Sequence, residues 1–251
     1  MNSNYQQKYV IFLDILGFSK KIESKNINYI LDILSVFREE INRNNFNDIP
    51  LCEMHNQDGF QYVDICFEDF KKICGDDFNC TSFSDNVVIS INPKQITARI
   101  DVIRFCQSLQ FELLKKGVII RGGLSYGDIY HESDIVFGKA LVDAVAIEKK
   151  IKYPLIGVDP ISCLEIINDF RSMMFFDNAK MASVNFFQNM FFYDKHYEDY
   201  NKIINFLNLE LTPLIGDDSQ EAKSITEKLE FLKGKASEEQ RITKEHRGKS
   251  I

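Results

Sequence analysis

Apolar and polar positions divide the first part of the chain into strands and helices in a regular order. Residues 9–13 form an apolar run rich in β-branched and aromatic side chains, which predicts a strand, and Gly17 then marks a tight turn. Between residues 18 and 45 apolar side chains recur at helical intervals. This spacing predicts one long amphipathic helix that packs on a sheet.

The next segments predict a hairpin followed by a helix. Residues 80–83 and 87–91 are strand-like runs separated by three polar residues, which places Asp85 at the tip of a β-hairpin. Helical spacing then continues from residue 93 to Gly117, a typical helix stop. Residues 46–78 carry scattered Pro and Gly, and we interpret them as a connecting segment with room for one further strand.

A second hairpin and a third helix complete the regular part of the pattern. Residues 118–127 predict a strand, residues 127–137 its hairpin partner with His131 at the surface, and residues 138–150 a helix. The order strand, helix, hairpin, helix, hairpin, helix is typical of an α+β fold. It predicts an antiparallel-rich sheet with helices on one face, the ferredoxin-like or palm arrangement.

The remainder of the chain predicts an extension of this core. We expect residues 1–159 to form the core, and residues 160–216 to complete the domain with additional strands and a helix. Two of those strands are expected at an edge of the sheet, within residues 173–193. Residues 217–251 are rich in charge, which predicts a solvated helix and a frayed tail.

Composition narrows the possible functions. A chain of 251 residues with 45% hydrophobic content can bury one sizeable core, and a formal net charge of −7 argues against a nucleic-acid partner. The polar start lacks the layout of a signal peptide, and no apolar run reaches membrane-spanning length. We therefore expect a cytoplasmic protein with no direct membrane association.

The six cysteines show no Cys-x-x-Cys spacing, which favours free thiols over disulfides. The alternative is a zinc site, although its ligand spacing departs from the usual structural zinc pattern. Its ligands would be Cys52, His55, Cys74 and Cys80.

Two carboxylates carry the candidate chemistry. Asp14 lies at the end of the first predicted strand and Asp85 at the hairpin tip, and a palm sheet places these two points side by side. Each residue alone is typical of a turn. As a pair they provide oxygen ligands for the divalent ions that hold a nucleoside triphosphate.

Four segments, in the same order along the chain, resemble motifs of the class III nucleotidyl cyclases. They are FLDILGFS at residues 12–19, FSDN at 83–86, RGGLSYG at 121–127 and GKALVDAVAIE at 138–148. The resemblance implies a class III cyclase fold, in which a ribose 3′-hydroxyl attacks the α-phosphorus and pyrophosphate leaves. It also implies a homodimer with active sites shared between the subunits.

The resemblance implies a role for each matching residue. Asp14 and Asp85, with the carbonyl group of Ile15, would bind two divalent metal ions, Mn²⁺ or Mg²⁺, and Arg121 would contact the terminal phosphates. The backbone N–H groups that would cradle the phosphates are those of Leu16, Gly17, Phe18 and Ser19.

The sequence departs from the family at the residues that read the base and stabilise the transition state. Purine-specific members carry a base-reading Lys and an Asp or Thr where this chain has Thr81 and Ile135. The family's Asn and Arg that stabilise the transition state fall on Val142 and Ala146, whereas Glu148 still matches. The residues that recognise a purine in the family are therefore absent, and so are the Asn and Arg side chains that donate hydrogen bonds in its transition state.

The particular residues of these motifs, together with a Tyr153-Pro154 strand, resemble the bacterial pyrimidine cyclases of the Pycsar anti-phage systems. That resemblance implies a manganese-dependent enzyme that makes cyclic UMP, or as a second choice cyclic CMP, and so activates a separate effector during infection. Two alternatives stay open. One is a purine cyclase with an unorthodox pocket, and the other is a catalytically inactive cyclase-like domain that senses a nucleotide.

Overall fold

A mixed, largely antiparallel sheet lies at the centre of the fold, and the computed structural model describes residues 5–42, 78–93, 98–187 and 197–247. The strands are β1 (Gln6–Ile15), β2 (Phe78–Phe83), β3 (Asn86–Ile91), β4 (Ile120–Glu132), β5 (Ile135–Phe137), β6 (Ile156–Val158), β7 (Met174–Phe176) and β8 (Ala182–Val184). The helices are α1 (Phe18–Ser24), α2 (Ile27–Asn42), α3 (Ala98–Lys115), α4 (Lys139–Lys150), α5 (Leu164–Asp169), α6 (Tyr197–Leu211) and α7 (Gln220–Arg247).

The strand order in the sheet is β2-β3-β1-β4-β6-β8-β7, with β5 paired to β4. The pairing of β4 with β6 is parallel, and the other described pairs are antiparallel. The expected α+β class with an antiparallel-rich sheet is confirmed. The predicted edge strands are also present as β7 and β8, although only β7 lies at the end of the strand order.

Helices cover both faces of the sheet, so the expectation of helices on one face is wrong. In β1, Tyr9, Ile11 and Leu13 point into the main core with α2 and α3, whereas Val10 points to the other face with Ala140 and Ala144 of α4. Helix α4 can lie directly on the strands because β4 carries a glycine beneath it. A Cβ atom on Gly123 would lie 2.0 Å from the carbonyl oxygen of Ala144.

The single helix predicted over residues 18–45 is two helices. Helix α1 ends at Ser24, and Lys25 takes an extended conformation (φ −117°, ψ 157°). The Asn26 side-chain oxygen then accepts the N–H of Tyr29 at 3.0 Å, the usual N-cap contact, and so starts α2. The apolar spacing continues across this break, which is why periodicity alone did not locate it.

The second hairpin turns later than predicted, because β4 runs straight through Gly127 to Glu132. The two-residue turn is at Ser133 and Asp134, and Ser133 has a positive φ of 56°. The prediction that His131 is a surface residue is therefore wrong. It is only 7% exposed, and its Nδ1 and Nε2 each lie 2.9 Å from a hydroxyl group, those of Ser90 and Thr81. Burial, helped by the charge of Lys8, lowers the pKa of His131 to about 4.

The charged helix α7 is more than a solvated appendage. Its Leu229, Leu232 and Ala236 are at most 3% exposed, and they share a second apolar cluster with Ile203 and Leu207 of α6. The predicted connecting segment, Cys52, His55, Cys74 and the tail after residue 247 lie outside the described residues. Within the described part, Cys80, Cys106 and Cys163 are free thiols, and no helix there has the length and apolar character needed to cross a membrane.

Candidate active site

The end of β1 and the tip of the β2–β3 hairpin are adjacent. Asp14 pairs with Asn86 of β3 on one side and with Arg121 of β4 on the other. The N–H of Ile15 donates a hydrogen bond to the carbonyl oxygen of Asp85 at 3.3 Å. Asp14, Asp85 and Arg121, which are far apart in sequence, therefore line one cleft of about 610 Å³.

The turn after β1 forms part of the same cleft, because residues 15–19 also line it. Gly17 has a φ of +73°, a conformation that L side chains rarely adopt, and Phe18 is 4% exposed and anchors the start of α1 in the core. The Leu16 N–H already donates to the carbonyl oxygen of Ile119 at 2.9 Å. It is therefore unavailable to a phosphate, and the amides of residues 17–19 remain.

Arg121 is shared between two carboxylates. Its Nε donates to Asp14 Oδ2 at 3.1 Å and lies 2.5 Å from Glu148 Oε1. Glu148 is 3% exposed on α4, and its Oε1 makes a close charge contact with Arg121 but receives no well-aligned hydrogen bond within the described part of the chain. The single positive charge of the guanidinium therefore offsets only part of the negative charge that these carboxylates can carry.

The electrostatics of the cluster suit a cation. Burial is the main cause that raises the pKa of Asp14 to about 6, and the nearby charges of Asp85 and Glu148 add to the rise, whereas Arg121 opposes it. Two carboxylates thus contact Arg121, and the charge of a third, Asp85, acts on Asp14. An added positive charge would lower the cost of ionising Asp14.

The donor set fits a hard divalent cation held jointly with a substrate. Asp14 and Asp85 are two carboxylates in one cleft, and no group of three His, Cys, Asp or Glu residues suited to a metal occurs in the described ranges. Mg²⁺ is commonly bound by one or two carboxylates together with substrate phosphates rather than by a complete protein cage. A pair of aspartates is therefore a sufficient protein contribution for such an ion.

The chain's C-terminal part supplies a wall of the cleft that sequence reasoning missed. The wall includes Glu210 of α6, Pro213 and Leu214 after it, and a face of α7 formed by Glu221, Ser224, Ile225, Lys228 and Leu229. No motif marks these residues. The available signal was the helical spacing of Leu229, Leu232 and Ala236, which indicates a packed rather than a solvated helix.

The positions where the purine readers and transition-state donors were expected do not line this cleft. The Thr81 hydroxyl donates to the carbonyl oxygen of Ser133 at 2.8 Å, and Ile135 is 56% exposed on β5. On α4, Val142 is 64% exposed and Ala146 is partly buried. The structure thus brings the carboxylates, Arg121 and the turn together, but leaves these four residues elsewhere on the chain.

Comparison with known proteins finds distant structural likenesses only. No family model matches the chain, and no curated protein matches it significantly. The guanylyl cyclase domain of the RhoGC fusion protein from the aquatic fungus Blastocladiella emersonii is 15% identical, with a TM-score of 0.44 over 72% of this chain and 93% of that one. The adenylate/guanylate cyclase/hydrolase from Silicibacter pomeroyi is 15% identical, with a TM-score of 0.45 over 73% of this chain and 96% of that one.

A third solved structure is the catalytic core of a rhodopsin-guanylyl cyclase with converted specificity in complex with ATPαS. It is 14% identical, with a TM-score of 0.43 over 65% of this chain and 82% of that one. At this distance the likenesses assign neither a family nor a substrate to the chain. The functional argument therefore depends on the residues of the cleft.

Proposed function

We propose that this protein is a nucleotidyl cyclase of the class III type that converts UTP, or as a second choice CTP, to the 3′,5′-cyclic monophosphate and pyrophosphate. The observation that carries the proposal is the meeting of Asp14 and Asp85 in one cleft with Arg121 and the Gly17 turn. These residues belong to three of the four sequence segments that resemble the family. The fourth segment contributes Glu148, which contacts Arg121.

Each group in the cleft has a role in this reaction. Asp14 and Asp85, with the carbonyl group of Ile15, would hold Mn²⁺ or Mg²⁺, which when bound supplies a Lewis acid for the 3′-hydroxyl and the departing pyrophosphate. Residues 17–19 line the same cleft, and their backbone N–H groups would donate to phosphate oxygens. Arg121 would exchange its hydrogen bond to Asp14 for one to a terminal phosphate.

The choice of a pyrimidine is supported by what replaces the purine readers. The Thr81 hydroxyl is engaged by His131 and by the carbonyl oxygen of Ser133, so it has little capacity left for a base. Ile135 has no hydrogen-bonding side chain. If a dimer brings these two positions of one subunit to the cleft of the other, a purine would find there neither the lysine nor the Asp or Thr that the family uses to recognise it.

A homodimer with shared sites is part of the proposal. Ile135, Phe137 and Val142 are large apolar side chains that are 48–64% exposed on β5 and α4. Burial of such side chains against a second copy would remove apolar surface from water. In that arrangement the exposed positions of one subunit would face the cleft of its partner. As a separate part of the proposal, the cyclic nucleotide product would act on a separate effector.

The test is product formation from each of the four nucleoside triphosphates with Mn²⁺, analysed by chromatography and mass spectrometry. We expect cyclic UMP or cyclic CMP from the wild-type protein, and background levels from Asp14→Asn and Asp85→Asn. The control Asp134→Asn alters an exposed aspartate in the β4–β5 turn and should retain activity. Cyclic AMP or cyclic GMP as the only product would replace the pyrimidine assignment by a purine one.

A second candidate is a catalytically inactive domain that senses a nucleotide. It is favoured by Val142 and Ala146, whose side chains cannot donate hydrogen bonds, and by the pairing of Arg121 with Asp14. Saturable nucleotide binding without any cyclic product would support this candidate. It would also remove the enzymatic proposal.

A further inference from the structure

A face of the C-terminal helix α7 forms part of the wall of the catalytic cleft. The lining residues Glu221, Ser224, Ile225, Lys228 and Leu229 recur at intervals of three and four, as expected for one side of a helix. The buried Leu229 and Leu232 anchor this helix against α6. The wall is therefore a fixed part of the domain, and its polar side chains are held at the site.

Lys228 is the exceptional residue of this wall. It is partly buried, and loss of hydration followed by the charge of Arg121 lowers its pKa, whereas the charges of Glu227 and Glu148 act in the opposite direction. Its ammonium group therefore lies within electrostatic reach of the cluster around Arg121. Two positive groups near one another in a cleft attract a multiply charged anion.

Lys228 also lacks a partner that would occupy its charge. Within the described residues it makes no hydrogen bond or ion pair. The two carboxylates whose charges act on Lys228 already have other partners. Glu148 contacts Arg121, and Glu227 Oε1 lies 2.5 Å from Lys152 Nζ. Three other lysines line the cleft, and each has a contact of its own. The Nζ of Lys25 lies 5.6 Å from the centre of the Tyr29 ring, although Lys25 makes no ion pair within the described residues. Lys20 pairs with Glu221 at 2.8 Å, and Lys21 pairs with Glu210 at 3.4 Å.

We propose that Lys228 binds the terminal phosphates of the nucleoside triphosphate, together with Arg121 and from the same chain. A partly dehydrated ammonium group without a counter-ion costs free energy, and a phosphate oxygen in the cleft would offset that cost. This inference rests on the proposed function, which it deepens. Lys228 of α7 would then supply a charged hydrogen-bond donor, which Val142 and Ala146 cannot do.

The test uses inorganic tripolyphosphate as the probe and isothermal titration calorimetry of the full chain as the measurement. Lys228→Met keeps the length of the side chain but removes its charge, and should weaken binding about 10- to 100-fold, as expected for one charge-assisted hydrogen bond. Lys228→Arg should restore binding to within about threefold. The matched control is Lys223→Met, because Lys223 is an exposed lysine of the same helix that pairs with Asp218.

The outcomes separate this inference from the proposed function. Equal affinity of the wild type and Lys228→Met for tripolyphosphate, or no binding by the wild type, overturns the assignment of Lys228 even if cyclic nucleotide is formed. A selective loss of binding in Lys228→Met supports the assignment even if none of the four triphosphates is cyclised. Where the wild type does form product, Lys228→Met should raise KM more than it lowers kcat, whereas a purely structural defect would also lower the melting temperature.

Discussion

The close contact of β4 with α4 can be tested at Gly123. In Gly123→Ala the new Cβ would lie 2.0 Å from the carbonyl oxygen of Ala144 and 3.0 Å from the N atom of Glu148. Both neighbours are helix backbone, so no side chain can rotate away. Helix α4 would have to retreat by roughly 1 Å or more, and a gap of that size forfeits a quarter to a half of each dispersion contact.

The expected cost follows from what α4 buries against the sheet. Ala140, Ala144 and Ile147 are at most 4% exposed, so the displacement would loosen a fully packed interface. Overpacking of this kind typically costs about 1–3 kcal/mol, and a clash with backbone lies at the upper end. For a chain of this size we expect the melting temperature to fall by about 6–12 °C.

Thermal denaturation followed by circular dichroism is the appropriate assay, with Gly234→Ala as the control. Gly234 is helical, and no atom of the described residues lies within 4 Å of an added Cβ, so alanine should be neutral or stabilise by up to about 1 kcal/mol. A Gly123→Ala protein that melts within about 2 °C of the wild type would refute the reasoning. Glu148 should also withdraw from Arg121, so cyclic nucleotide formation at a permissive temperature should fall.

Two further predictions test the C-terminal helix and the charge on Asp14. Leu232→Ala should lower the free energy of unfolding by about 2–5 kcal/mol, because this side chain is only 1% exposed. The control Leu209→Ala should change it by less than about 0.5 kcal/mol, because Leu209 is 73% exposed. Equal effects of the two substitutions in urea denaturation would contradict the packing of α7. The fold raises the pKa of Asp14 from 3.8 to about 6. Ionisation of Asp14 therefore has its full destabilising effect above pH 6 and none below about pH 4. The melting temperature of Asp14→Asn minus that of the wild type should therefore increase as the pH rises from 4 to 6. A difference that stays constant across this range would argue against the burial of a charged Asp14.

Local sequence patterns predicted the central strands well, because each depends on alternation that the sheet satisfies directly. The run around Val10, the hairpin with Asp85 at its tip and the strand beginning near Arg121 all lie where they were expected. That topology also brings Asp14 and Asp85 to one cleft. The role of these residues stays a prediction until the variants are assayed.

The features that sequence reasoning missed are those set by tertiary contacts or by a single polar residue. The break between α1 and α2 depends on the Asn26 side chain, which interrupts the backbone but not the apolar period. The burial of His131 depends on the position of the turn at Ser133 and Asp134, which follows directly on the strand that contains Gly127. The wall formed by α7 is distant in sequence from every motif, so only the folded chain brings Lys228 and Arg121 to the same cleft.

The sharing of one guanidinium by two carboxylates has a consequence for how ligands cooperate. While Arg121 is bonded to Asp14, each of the two groups satisfies the other. A cation that takes Asp14 leaves the arginine with Glu148 alone and so more open to an anion, and an anion that takes the arginine exposes the aspartate to a cation. By thermodynamic reciprocity each ligand then strengthens the binding of the other by the same factor. A metal and a triphosphate would therefore enter this cleft as a cooperative pair, and neither alone would be held as tightly.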